Sequence, residues 1–210
     1  MSQGIRQWSR TCRLLAAATG IAAGTIFATA PGAAKAHSFI VALDATSAQP
    51  MPLTSAIRGM RLAASERNSH NGETSDGHLG GIDLFIRPLP PEAAEGITWL
   101  KGAPPEAATI VVDFGKPDSA AARLSNDNAV VIGPGALPAD TTWSAMAPAA
   151  ADGFTARYRA AYGTDPDRQA AQGYNAARRI DRALRDQGGV EDREGLQRAL
   201  DRTAEGTDWK

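Results

Sequence analysis

Short apolar runs alternate with helix-forming stretches through the first two thirds of this chain, and that alternation restricts the fold more than any other feature. Residues 38–43, 82–86, 108–114 and 129–132 are too short for helices. All four suit strands, and the continuous apolar character of residues 38–43 suits one buried on both faces. After the first run, Thr54 or Ser55 can cap a helix in which Ile57, Met60 and Ala64 recur at helical spacing. Residues 68–81 are loop material, and Pro88 closes the second strand. Residues 92–100 suit a short helix, and Asp118 or Ser119 can cap another that runs to Leu124. Strand and helix in alternation imply parallel strands joined by right-handed crossovers. The expected fold is therefore α/β, an open parallel sheet flanked by helices in three layers.

From residue 138 to 153 the composition turns to Ala, Pro, Asp and Thr, which marks a connector. Three helices are predicted beyond it. In the first, Phe154, Tyr158 and Ala161 share a face and Gly163 is a natural stop. The second carries Ala170, Tyr174, Ala177, Ile180 and Leu184 on one stripe, with Arg178, Asp181, Arg182 and Arg185 turned outward and Gly188-Gly189 at its end. The third buries Leu196, Ala199 and Leu200.

Residues 1–36 have the form of a secretory signal: Arg6, Arg10 and Arg13 precede an apolar stretch from Leu14 to Ala30, and Ala34-Lys35-Ala36 is a small-x-small cleavage site. The stretch is too short and too rich in small residues to serve as a membrane span. Cleavage would remove the lone cysteine, Cys12, so the exported domain of residues 37–210 must rest on its core without disulfides. Four of the 22 basic residues would leave with the signal, and 18 against 23 acidic ones give a negative domain. With no basic cluster, nothing points to a nucleic-acid partner, and no apolar run after Ala36 could cross a membrane.

The phrasing Phe154-x3-Tyr158-x3-Tyr162-Gly163, then Pro166, then Gly173-Tyr174-Asn175-Ala176, resembles the C-terminal helices of type I periplasmic binding proteins, the leucine/isoleucine/valine-binding receptors of ABC importers. Earlier, Gly59-x6-Glu66-x-Asn68, Gly81-Ile82-Asp83-Leu84 and Ile132-Gly133-Pro134-Gly135-Ala136 look like the start of the same proteins, in the same order. Such receptors have two lobes, and their chain visits the first, then the second, then returns to the first. Residues 38–142 look like the first visit and 151–203 like the return. The resemblance therefore implies a single lobe, with a short connector where the second would stand. A full binder would need about twice this length.

The resemblance also implies where a ligand would sit, in three loops at the carboxyl ends of strands. Thr46 and Ser47 occupy the first, Gly115 and Lys116 the second, Gly135 and Ala136 the third. The first loop lacks the aromatic expected over a ligand, Gly115-Lys116-Pro117 replaces a serine-rich turn, and Leu137 stands where a threonine is expected. Lys116 is the one group there suited to an anion.

The remaining residues with chemical potential have plainer explanations. His70, Asp76 and His78 share a loop, but their spacing matches no rigid metal motif, so no metal is expected. Asp113 ends an apolar strand with no His, Ser or Cys partner near in sequence, which suits an end-of-strand cap better than a catalyst. Gly133-x-Gly135 lacks the rest of a dinucleotide fingerprint. The expectation is a periplasmic, non-enzymatic, cofactor-free solute-binding protein for a branched-chain amino acid or similar small molecule, served by an ABC permease or by a second chain that supplies the other lobe. The alternative is an interaction or scaffold module that has lost transport. An enzyme on this scaffold is disfavoured for want of a nucleophile–base pair or a phosphate loop.

Overall fold

The first apolar run forms the centre of a five-stranded sheet, and its composition explains why: every residue from Phe39 to Asp44 is buried. A computed structural model describes residues 38–46, 53–67, 73–94, 96–102, 109–114, 129–133 and 153–203. The strands are β1 (Ser38–Asp44), β2 (His78–Leu79), β3 (Ile82–Leu89), β4 (Ile110–Asp113) and β5 (Val130–Ile132), in the spatial order β2-β3-β1-β4-β5. β1 pairs in parallel with β3 on one side and β4 on the other, and β5 continues the parallel array. β2 runs antiparallel to β3, so the sheet is mixed rather than wholly parallel.

That departure comes from a hairpin that the expected loop of residues 68–81 concealed. Leu79 faces Ile82 across the two-residue turn Gly80-Gly81, whose φ angles of 62° and 82° both lie in the left-handed region. Tight hairpin turns of this kind need positive φ at both central residues, and two glycines provide it. β3 also runs past Pro88 to Leu89. Leu84 and Ile86 point their N–H groups away from β1, toward Gly77 and Asp76, so residue 88 comes at the outward phase. A proline there breaks no ladder bond.

Alternation along β1 divides the core. Phe39, Val41 and Leu43 join the main cluster with the helices, while Ala42 joins Val111 and Ala129 on the opposite face. The helices among the described residues are α1 (Thr54–Ser65), α2 (Phe154–Tyr162), α3 (Arg168–Gln187) and α4 (Arg193–Arg202). α1 begins at Thr54 with Leu53 as its cap residue and no side-chain cap, unlike the expectation for Thr54 or Ser55. The stretch predicted as a helix over 92–100 is instead a single 3-10 turn, Pro91–Ala94, followed by irregular chain. The expected helix from Asp118 or Ser119 lies outside the described residues, as do the signal sequence and the connector.

The C-terminal helices return to the face that α1 covers. Phe154, Tyr158, Tyr174, Ile180 and Leu184 are all buried in the same cluster as Phe39 and Val41. Asp167 caps α3 by accepting the N–H of Ala170 at 2.8 Å, and Asp192 caps α4 through Gly195 at 2.9 Å. Two side chains differ from the helical-face expectation. Ala161 is exposed. Asp181 is buried, because the Gly80 N–H donates to its Oδ1 at 2.8 Å while Arg67 and Arg185 pair with its carboxylate. Arg179, also buried, donates to the Leu200 carbonyl and the Thr203 hydroxyl, both at 3.0 Å, and ties α3 to the end of α4. No helix among the described residues is long and apolar enough to cross a membrane.

Candidate functional site

In open α/β sheets, ligands settle where neighbouring parallel strands send their connections to opposite sides, outside the carboxyl ends. Here that point lies between β1 and β4, since the chain leaves β1 for β3 on one flank and later enters β4 on the other. Asp44 and Asp113 end these two strands and are register partners, so both side chains leave the same face, above Ala42 and Val111. Asp44 is fully buried and Asp113 is 3% exposed.

The two oxygens of Asp44 are treated differently. Oδ1 accepts the Thr46 N–H at 2.8 Å and the Thr46 hydroxyl at 2.7 Å, a turn motif that fixes the carboxylate just beyond the strand. Oδ2 is buried with no hydrogen-bond partner among the described residues. The backbone around it is saturated: Ala45 donates to Leu89 and Phe114 to the Asp44 carbonyl. A buried acceptor without a donor costs about 1–3 kcal/mol, more when charged, and such atoms in folded proteins are met by a water, an ion or a ligand, or mark a stored strain. With strands roughly 4.8 Å apart, a second carboxylate stands alongside and adds to that cost. Two buried carboxylates thus stand side by side, and a group that brings N–H donors would complete the shell of Asp44 Oδ2.

Of the residues expected at a ligand, Thr46 is at this edge, but its hydroxyl is spent on holding Asp44. Ser47, Gly115, Lys116, Gly135 and Ala136 lie outside the described residues. Asp113 does end its strand. The residue that sequence reasoning missed is Asp44, although a signal for it was present: Val-Ala-Leu-Asp and Ile-Val-Val-Asp are two apolar runs that each stop at an aspartate.

The loop before β2 holds a second constellation, different from the one its sequence suggests. Asp76 turns toward the outer edge of β3, where it accepts the N–H groups of Ile86 at 2.9 Å and Lys101 at 3.0 Å. Burial pushes its carboxyl above the ordinary value, against the pull of those two donors. His70 lies outside the described residues. His78 instead sits between Glu73 and Asp83, with Nδ1 at 3.2 Å from Glu73 Oε2 and Nε2 at 2.7 Å from Asp83 Oδ1. A third polar group, Tyr174–Glu66–Arg157, is structural: the Tyr174 hydroxyl donates to Glu66 Oε2 at 2.6 Å and Arg157 braces both, joining α1, α2 and α3. No protein-family model, curated protein or solved structure matches this chain.

Proposed function

We propose that this protein is a solute-binding lobe of the periplasmic-binding type, exported to the periplasm, which receives an amine-bearing small molecule at the carboxyl ends of β1 and β4. The observation that carries this reading is the unpartnered, buried Oδ2 of Asp44 beside Asp113 at the switch point of the sheet. An ammonium group has three donors and a full positive charge, which suit a buried carboxylate oxygen without a donor among the described residues. The return of residues 154–202 to the face covered by α1 supports the single-lobe reading, since the resemblance expects those helices to complete the lobe begun by β1. An amino acid would place its ammonium on Asp44 and leave its carboxylate to the loops, where Lys116 is the available cation.

Binding by one lobe is weak. Receptors of this type bury most of their ligand by closing two lobes, and half of a ligand left in water forfeits much of the desolvation that gives affinity. A dissociation constant near millimolar, about −4 kcal/mol, is the expected scale unless an ABC permease or a second chain completes the site. Calorimetry with leucine, isoleucine, valine, simple amines and short carboxylates tests the proposal. Amines and amino acids should bind weakly, carboxylates without an amine should not, and Asp44→Asn should abolish the signal while the protein stays folded. If none of these ligands binds, the solute-binding reading fails and the interaction module takes its place.

A further inference from the structure

We propose that Glu73, His78 and Asp83 form a binding site for a divalent transition-metal ion of the zinc type. The three side chains come from one continuous stretch, the loop before β2, β2 and the start of β3, and are brought together by local structure. His78 and Asp83 face each other in the register of the β2–β3 hairpin, which the Gly80-Gly81 turn sets. Glu73 is oriented from the loop before them, because its Oε1 accepts both the N–H and the hydroxyl of Ser75 and Oε2 is left turned to His78.

One ligand atom from each residue lies within 4.8 Å of the others. Ligands about 2.0–2.2 Å from a tetrahedral metal stand roughly 3.4 Å apart, so the two carboxylates, which meet opposite ring nitrogens of His78, must turn to one and the same nitrogen to close the shell. Imidazole nitrogen with two carboxylate oxygens is a donor set that suits zinc, nickel and cobalt. The Asp83 side chain is 38% exposed, which leaves a path for entry and an open position for water.

Charge complements the geometry. Glu73 and Asp83 bring two carboxylates to one imidazole. A divalent cation balances the set, and half-burial makes the balance matter more than it would in bulk water. The histidine count narrows the alternatives, since His37 and His70 are the only others in the chain and removal of residues 1–36 takes the lone cysteine with it. Bound metal would pin the loop of residues 73–77 to the hairpin whose Gly80 N–H is held by Asp181.

The test is a titration of the chelator-treated full chain with zinc chloride, followed by calorimetry and thermal melting, and with cobalt chloride, followed by visible absorption. One equivalent of zinc should bind and raise the melting temperature, and cobalt should give the d–d bands of a four- or five-coordinate site. Asp83→Asn, half-exposed and nearly isosteric, should weaken zinc by more than the roughly 10–100-fold typical of losing an outer-shell partner. His78→Gln should remove the cobalt bands, and His70→Ala should change neither. Failure of zinc to bind, or equal binding by the Asp83→Asn and His78→Gln variants, overturns the proposal. So does loss of binding in His70→Ala.

Discussion

Gly59 of α1 and Gly173 of α3 face each other in a reciprocal crossing: a Cβ on Gly59 would overlap the carbonyl oxygen of Ala170, and a Cβ on Gly173 would overlap that of Ala56. The two helices therefore meet backbone to backbone, flanked by Ala56, Ala63, Ala170 and Ala177, all buried. Neither obstacle is the flexible end of a side chain, so neither can swing aside.

Gly59→Ala and Gly173→Ala should each destabilise the protein although alanine is the better helix former. The propensity gain is about 1 kcal/mol, and overpacking costs about 1–3 kcal/mol or more where backbone must move. Urea melts should show a lower midpoint for both. The double variant should cost less than the sum, because the first methyl already spreads the crossing. An unchanged midpoint for either single variant would contradict the close approach.

All three tyrosines should resist ionisation until the fold fails. Burial, above all, raises Tyr158, and it pushes Tyr162 and Tyr174 to about 12. A raised folded-state value means stability that is fully present below the unfolded value of 10.0 and lost as pH rises through about 12. Tyrosinate absorbance should rise in one step together with loss of helical circular dichroism. A tyrosine that titrates reversibly near pH 10 in intact protein would show that its helix, α2 for Tyr158 and Tyr162 or α3 for Tyr174, does not pack as described.

Asp76→Ala should cost about 1–3 kcal/mol at neutral pH by stranding the N–H groups of Ile86 and Lys101. Because burial raises the folded-state value, the native protein holds this proton more tightly than the unfolded chain does. Asp76 therefore contributes most below the unfolded value of 3.8 and loses that contribution as pH rises through its folded-state value. The gap between native protein and variant should widen as pH is lowered from 7 toward 4. Chemical melts across that range would expose the opposite slope if the assignment were mistaken.

A chain ending after residue 150 should not melt cooperatively. Phe154, Tyr158, Tyr174, Ile180 and Leu184 are each at most 2% exposed and share one cluster with β1, and burial of such side chains contributes about 1.5–3 kcal/mol each. Tyr174→Asp should have the same effect in the full chain. A sharp melt from the truncated chain would show that the C-terminal helices are a separate module.

The elements that the sequence predicts well are those whose own pattern decides their structure. β1 and β4 are uninterrupted apolar runs, and the stripe from Ala170 to Leu184 keeps one helical face for four turns. The misses involve partners distant in sequence. A helical wheel turns Asp181 outward, and its burial is explained by partners distant in sequence, the Gly80 N–H, 101 residues earlier, and Arg67. β2 is too short to show periodicity, and Gly80-Gly81 was the available clue. At the site, an expectation built on hydroxyls and turn glycines drew notice to Thr46 and away from Asp44, the residue that Thr46 serves. Where Gly115, Lys116, Gly135 and Ala136 stand in space lies beyond the described residues.

The outer side of β3 has a consequence for self-association. Sheets grow between molecules when a flank offers free N–H donors to a neighbouring chain. Here the donor of Leu84 is taken by Gly77, that of Ile86 by the Asp76 carboxylate, Pro88 has none, and β2 covers Ile82 and Asp83. These donors of β3 are not free to template a strand from another copy, and removal of the Asp76 carboxylate would release that of Ile86.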